Sequence, residues 1–295
     1  MLRWLTRRLH SSRTHTAIPE FDAKTCDLAE AAGVLRDTGY LILRGALAVG
    51  PVTRFHELLA SFIASVEHLG KDDAPPPGSL YSTTNRSFPI EAIVDADGRP
   101  DTSLVAHFAD TAIIPFFRLY FGTKRVFLRS PNYRYQEIGF DTSHLPWHQD
   151  GFNVRGDFQI VNCWVPLSSG EIGSVAPGIE LLSHRPSDVL PLESAPVSGN
   201  YGFLEPDIQQ FRKIEKWSRK LAVRLRRGDV LLFDKLTFHR TYSLPEMTER
   251  RVSAELRFLG DRPEVVTFLE NGVRPYIAYG EGAEFTLHKI SPDAD

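Results

Sequence analysis

The stretch LPWHQDGFNV, residues 145–154, carries a histidine and an aspartate two positions apart. In an extended chain, side chains at positions i and i+2 point to the same face. The imidazole of His148 and the carboxylate of Asp150 would therefore converge on one point. Both are ligands that divalent metals bind in proteins. The pair predicts half of a metal site, and the other half has to come from elsewhere in the chain.

The best source of a third ligand is the segment RRGDVLLFDKLTFHRTYSL, residues 226–244. Its run VLLF is typical of a buried strand, and His239 follows a few residues later. Two imidazoles and one carboxylate leave three octahedral positions open, as in the facial triad of non-haem Fe(II) oxygenases. Zinc accepts the same ligands, although no HExxH helix indicates a zinc hydrolase. The triad alone leaves iron, zinc and an inert histidine pair open.

A candidate anion site follows in ERRVSAELRF, residues 249–258. A strand that begins at Arg251 would place Arg251 and Ser253 on one face, so that a guanidinium fork lies beside a hydroxyl. Arginine binds carboxylates through two parallel hydrogen bonds, which suits a dicarboxylate co-substrate such as 2-oxoglutarate. Thr241, two residues after His239, offers a further hydroxyl.

Three segments together, LPWHQDGF, GDVLLFDKLTFHRT and RVSAELRF, resemble the phytanoyl-CoA dioxygenase family of Fe(II)/2-oxoglutarate oxygenases. LRDTGYLILRGAL, near the N-terminus, adds to the resemblance, which runs in patches from Ala31 to Gly260. It implies Fe(II) as cofactor and 2-oxoglutarate and O2 as co-substrates. The implied iron ligands are His148, Asp150 and His239.

The resemblance also assigns residues around the iron. It implies that Arg251 binds 2-oxoglutarate, with Arg250 as the alternative if the strand is shifted by one residue. It further implies that Gln149 lies near the co-substrate and that Trp164 lines the pocket. The chain departs from the family at Ser183, which follows a leucine where many members have Pro-Gly.

The carboxylate ligand distinguishes two activities within this group. Related halogenases have a small residue where this chain has Asp150, so hydroxylation is favoured. We expect hydroxylation of a C–H bond in a small organic molecule, with conversion of 2-oxoglutarate to succinate and CO2. The alternatives are a non-catalytic jelly-roll binding protein or pseudo-enzyme, and a metal-dependent hydrolase or isomerase on the same fold.

The elements that would position these residues change in type along the chain. Helical spacing of apolar residues dominates the first part, and short β-prone runs bounded by Gly and Pro dominate the second. We therefore predict a mainly β fold with N-terminal helices: a double-stranded β-helix core (jelly roll, cupin-like) with flanking α-helices. The predicted helices are 23–35, 51–69, 104–121 with a break near Pro115, and 206–220; the predicted strands are 40–45, 125–135, 157–166, 178–182, 221–226, 229–233 and 251–259.

Composition limits the class of protein. The 295 residues are 42% hydrophobic and 24% charged, with a net charge of −3, so no nucleic-acid partner is expected. No apolar run is long enough for a membrane span. We expect a single dioxygenase domain over 21–295, with a helical layer mainly over 21–122 and a β core mainly over 125–260. A basic tail covers 1–20.

Location follows from the cysteines and the tail. The two cysteines, Cys26 and Cys163, form no metal or disulfide pattern, which indicates a reducing compartment. The cytoplasm is the expected location. The Arg-rich, acid-free tail leaves a mitochondrial presequence as the minor alternative.

Overall fold

The structure is a computed structural model. It describes residues 17–66, 87–89, 93, 99, 101–136, 145–153, 158–168, 178–192, 206–242, 248–272, 275–282 and 284–288. Most of the predicted basic tail lies outside these residues.

The described residues form six helices and twelve strands. The helices are α1 (Leu28–Thr38), α2 (Val49–Val66), α3 (Ser103–Ala109), α4 (Ile113–Phe121), α5 (Ile208–Trp217) and α6 (Pro263–Glu270). The strands are β1 (Glu20–Asp22), β2 (Tyr40–Arg44), β3 (Ser87–Pro89), β4 (Val126–Gln136), β5 (Ile160–Pro166), β6 (Gly178–Leu182), β7 (Lys220–Ala222), β8 (Val230–Asp234), β9 (His239–Tyr242), β10 (Arg251–Gly260), β11 (Tyr276–Tyr279) and β12 (Phe285–His288).

Two sheets face each other, as a jelly roll requires. Within the described residues, the large sheet has the order β1-β2-β8-β5-β10-β4-β11-β12, with β3 added on β4. The small sheet has the order β7-β6-β9. All described pairings are antiparallel except that of β1 with β2. The predicted jelly-roll fold with flanking helices is confirmed.

The first helix has a clear beginning and end in the sequence. The Asp27 side chain accepts the Ala29 amide proton at 2.8 Å, so it caps the N-terminus of α1. Gly39 ends the helix with φ of 87°, a conformation that glycine adopts without strain. Strand β2 begins at the next residue, as the run YLILRG predicts.

The predicted helix break near Pro115 is wrong by a few residues. The chain leaves helical geometry between Ala109 and Ile113, and Pro115 lies in the first turn of α4. Proline is tolerated there because the first-turn amides have no partner within the helix. Among the described residues, no single helix is long and apolar enough to cross a membrane. Helices α3 and α4 reach that length and apolar composition only when they are taken together, and they are bent by 64° relative to each other.

Strand β10 shows how the sheet separates packing from polar chemistry. Its residues Val252, Ala254, Leu256 and Phe258 belong to the apolar core shared with α1 to α4. The residues that alternate with them point to the opposite face: Arg251, Ser253, Glu255 and Arg257. That face looks toward the small sheet, and the candidate site lies between the two sheets.

Candidate metal centre

The three predicted ligands meet in space. One donor atom from each of His148, Asp150 and His239 lies within 4.8 Å of the others, and all three residues are buried. Nε2 of His148 is 3.8 Å from Oδ1 of Asp150, and the two imidazole ring centres are 4.0 Å apart. Two imidazoles and a carboxylate at this spacing fit a divalent transition metal.

The main chain brings the two histidines together. His148 and His239 form an isolated antiparallel bridge in which each amide donates to the other's carbonyl at 3.0 Å. Thr241 extends the contact, because its backbone amide and side-chain oxygen both bond to Leu145, each at 3.0 Å. The segment before Asp150 is thereby fixed against β9 of the small sheet.

Each imidazole is oriented by a nearby carbonyl. Nδ1 of His148 lies 2.8 Å from the Pro146 oxygen, and Nδ1 of His239 lies 3.1 Å from the Thr237 oxygen. A carbonyl accepts but does not donate, so Nδ1 carries the proton in each ring. Nε2 is then available to bind a metal, an arrangement typical of metal-binding histidines.

Asp150 lies where the chain turns and packs closely. It begins a short 3-10 turn, Asp150–Asn153, and a Cβ atom on Gly151 would come within 2.2 Å of the Val189 side chain. A side chain at this position would have to displace Val189. The carboxylate contacts Arg257 of β10, whose Nε and Nη2 lie 3.3 and 3.1 Å from Oδ2.

The protonation states suit metal binding. Burial lowers the pKa of His148 to about 3, with a further contribution from His239. Burial also lowers the pKa of His239. Burial alone would raise the pKa of Asp150, but Arg257 and then the histidines outweigh it and hold this pKa below its usual range. At neutral pH the cluster offers two neutral imidazoles and one carboxylate, which are the forms that bind metal.

Arg251 is a buried cation with few partners. Nη1 donates to the Gly178 oxygen of β6 at 3.2 Å, while Nε and Nη2 have no hydrogen-bond partner within the described residues. Glu255 lies 3.9 Å from Nη2, beyond hydrogen-bonding distance. Burial, and then the nearby Arg134, lower the pKa of Arg251 to about 9, so it stays charged at neutral pH.

Two neighbours of Arg251 are also short of partners among the described residues. The Ser253 hydroxyl and the Trp164 indole Nε1 are buried and make no hydrogen bond there. The Arg251 guanidinium carbon lies 5.5 Å from the centre of the Trp164 ring. Buried polar atoms without partners are uncommon, because each costs about 1–3 kcal/mol. Arg251, Ser253 and Trp164, on neighbouring strands, thus each hold a buried donor that no described residue uses.

The other predicted site residues have different surroundings. The Gln149 side chain donates to the Leu236 carbonyl at 2.7 Å and accepts from the Leu190 amide at 2.9 Å. These contacts link Gln149 to two other loops, and its place near the co-substrate stays a prediction. Arg250 is exposed and immediately precedes β10, and Thr241 lies in β9 beside Leu145.

Sequence reasoning missed two charged residues on this face. Arg257 contacts Asp150, and Glu255 accepts from Arg134 at 3.2 Å. The alternation that predicts a shared face for Arg251 and Ser253 extends to residues 255 and 257 and could have found both. Their partners, on other segments, could not be read from that alternation.

Solved structures provide the comparison. The non-haem alpha-ketoglutarate-dependent carbocyclase SnoK from nogalamycin biosynthesis superimposes with a TM-score of 0.56 at 13% identity, over 91% of this chain and 98% of that one. The epimerase SnoN, in complex with Fe3+, alpha ketoglutarate and nogalamycin RO, gives 0.53 at 19% identity over 83% and 90%. EctD from S. alaskensis, with 2-oxoglutarate and 5-hydroxyectoine, gives 0.51 at 19% identity over 85% and 86%.

The chain shares the fold of these enzymes. No protein-family model matches it, and no curated protein matches it in sequence. The likeness therefore lies in the architecture.

Proposed function

We propose that this protein is an Fe(II)/2-oxoglutarate-dependent dioxygenase that hydroxylates a C–H bond of a small organic molecule, similar to the phytanoyl-CoA dioxygenase family. One observation carries the proposal. A buried guanidinium with two unused donor nitrogens lies on the same face of β10 as the arginine that contacts the metal cluster. A metal site together with a cation that can bind a carboxylate suits a keto acid such as 2-oxoglutarate, which would bind the metal at one end and the arginine at the other.

Iron fits the donor set. His148 and His239 would supply nitrogen, and Asp150 would supply oxygen, which leaves three of six octahedral positions for other ligands. A hydrolytic zinc site usually leaves one position open. When bound, iron supplies the oxidising chemistry that couples decarboxylation of 2-oxoglutarate to attack on a C–H bond.

The protein's part in the reaction is to bind and orient. Arg251 would receive the far carboxylate of 2-oxoglutarate, with the Ser253 hydroxyl as a second donor. Trp164 would limit the pocket on the β5 side, where it is 2% exposed. Burial of these groups keeps water away from the charged contacts and so strengthens them.

Hydroxylation is proposed over halogenation because Asp150 supplies the carboxylate ligand. Two of the compared structures are named as an epimerase and a carbocyclase, so the same fold supports other oxidative outcomes. The product formed from the substrate distinguishes these activities.

The test is turnover with the cofactors supplied. Anaerobically purified protein is mixed with Fe(II) and 2-oxoglutarate and exposed to O2 across a metabolite panel, and succinate and CO2 are measured. We expect succinate formation that a substrate accelerates, with one oxygen atom from O2 in the product. A product that contains no oxygen atom from O2 would indicate epimerisation or cyclisation. Activity that persists without O2 and 2-oxoglutarate would indicate a hydrolase or isomerase, and no turnover with any compound would favour a binding protein.

A further inference from the structure

We propose that Arg257 is a positioning residue that holds Oδ2 of Asp150, so that the carboxylate offers Oδ1 alone to the metal. We infer further that the Arg257 guanidinium forms an anion-binding site, which can hold a free carboxylate such as acetate when the Asp150 side chain is absent. This site is called the anion pocket below. The inference rests on the metal-binding part of the proposed function and on no other part of it.

The contact geometry assigns the two carboxylate oxygens different partners. Both Nε and Nη2 of Arg257 approach the same oxygen, Oδ2, at 3.3 and 3.1 Å. The other oxygen, Oδ1, is the one that lies 3.8 Å from Nε2 of His148. The carboxylate is therefore oriented with one oxygen toward the arginine and the other toward the histidine donors.

Arg257 is held in place from both sides. Strand β10 pairs with β5 and β4, and Arg257 lies opposite Asn162 on β5 and Arg129 on β4. A residue in the middle of a sheet has little freedom to shift along it. The backbone position from which the guanidinium extends is thus set by the strand pairing and not by the carboxylate.

Burial makes this contact stronger than a surface ion pair. The Arg257 side chain is 19% exposed and that of Asp150 is 4% exposed. Charges in such surroundings are screened much less by water and salt than charges at the surface. The surface pair of Arg125 and Asp261 has similar distances, 3.1 and 3.3 Å, but its side chains are 49% and 32% exposed.

The consequence for the metal is a limit on the number of protein ligands. An aspartate that binds through both oxygens would occupy a fourth coordination position. With Oδ2 occupied by Arg257, Asp150 supplies a single oxygen and three positions stay open.

The test is chemical rescue of metal binding. Asp150→Gly removes a side chain that matches acetate in size and charge. Co(II) affinity is measured by visible absorption, with and without acetate, in Asp150→Gly and in Asp150→Gly/Arg257→Gln. Asp150→Gly/Arg125→Gln is the matched control. No 2-oxoglutarate or O2 is present.

We expect Asp150→Gly to weaken Co(II) binding and acetate to restore it by at least about tenfold, in this variant and in the control. The restoration is expected to be lost when Arg257 is also replaced. Equal rescue with and without Arg257 would overturn the anion pocket, and so would no rescue in Asp150→Gly.

A single substitution keeps the inference testable if the double variant does not fold. Replacing a partner that orients a metal ligand typically lowers metal affinity by about 10–100-fold. We expect this loss for Arg257→Gln, a smaller loss for Arg257→Lys, and a changed Co(II) absorption spectrum in both. Unchanged affinity and spectrum in Arg257→Gln would contradict the positioning role. Co(II) binding without any 2-oxoglutarate binding would end the proposed function but leave this inference standing.

Discussion

The backbone amides of His148 and His239 each donate to the carbonyl of the other residue at 3.0 Å. This reciprocal bridge joins two segments that are far apart in the sequence and sets their imidazole rings 4.0 Å apart. The hydrogen bonds involve only the main chain, so replacement of either side chain leaves the bridge intact. We therefore expect that the two proposed metal ligands can be replaced without loss of the fold.

Removal of one imidazole should abolish tight metal binding. For His239→Ala we expect Fe(II) and Co(II) affinity to fall by more than about 100-fold, since a lost ligand matters more than the outer partners that are worth about 10–100-fold. Calorimetric titration measures the affinity. His288→Ala is the control. His288 lies in β12, and its ring stacks on that of Tyr276. Equal affinity of His239→Ala and the control would mean that the metal lies elsewhere.

Arg251 should determine 2-oxoglutarate affinity and not metal affinity. A hydrogen bond to a charged group contributes about 1.5–3 kcal/mol, so Arg251→Ala should weaken 2-oxoglutarate binding by about 10–100-fold. Arg251→Lys should recover only part of it, because lysine keeps the charge but loses the fork. Arg250→Ala is the matched control. A larger effect in Arg250→Ala would shift the co-substrate to that arginine.

Ser253 should slightly lower the folding stability of the ligand-free protein, while its hydroxyl helps to bind the co-substrate. Its buried hydroxyl makes no hydrogen bond to the described residues, so Ser253→Ala should leave the free energy of unfolding equal or raise it by up to about 1 kcal/mol. The same change should lower 2-oxoglutarate affinity about fivefold. Denaturant unfolding and ligand titration measure the two effects. Lower stability together with unchanged affinity would give the hydroxyl a purely structural role.

Gln149 should matter for stability. Gln149→Leu would leave the Leu236 carbonyl and the Leu190 amide without their partner, and we expect a loss of about 1–3 kcal/mol in the free energy of unfolding. Metal and 2-oxoglutarate affinity should change little once the protein is folded. Normal stability with weakened 2-oxoglutarate binding would favour the role that the family resemblance implies.

The fold was predictable where local patterns decide it. The apolar run at Val230–Asp234 and the β-prone runs at Val126–Gln136 and Arg251–Gly260 become central strands of the large sheet, as their composition predicts. Strand β9 was not predicted: its four residues, His239–Tyr242, show no alternation of apolar and polar types. It forms because β6 pairs with it.

The site, like the fold, was predictable where a local sequence pattern determines it. His148 and Asp150 are close in sequence, and the spacing of Arg251 and Ser253 sets their shared face. The pairing of Arg257 with Asp150 depends on how β10 meets a loop 107 residues earlier, and no local pattern carries that information. The hydrogen bonds of Gln149 to Leu236 and Leu190 likewise join segments that are distant in the sequence, so no local pattern predicts them.

Binding of 2-oxoglutarate to the protein in the absence of O2 tests the central claim most directly. We expect the Fe(II)-loaded protein to bind 2-oxoglutarate at one site and to develop the visible absorption of a keto acid chelated to ferrous iron. Arg251→Ala should show the same absorption only at much higher 2-oxoglutarate. An Fe(II)-loaded protein that binds no 2-oxoglutarate, or binds it equally well without metal, would contradict the account.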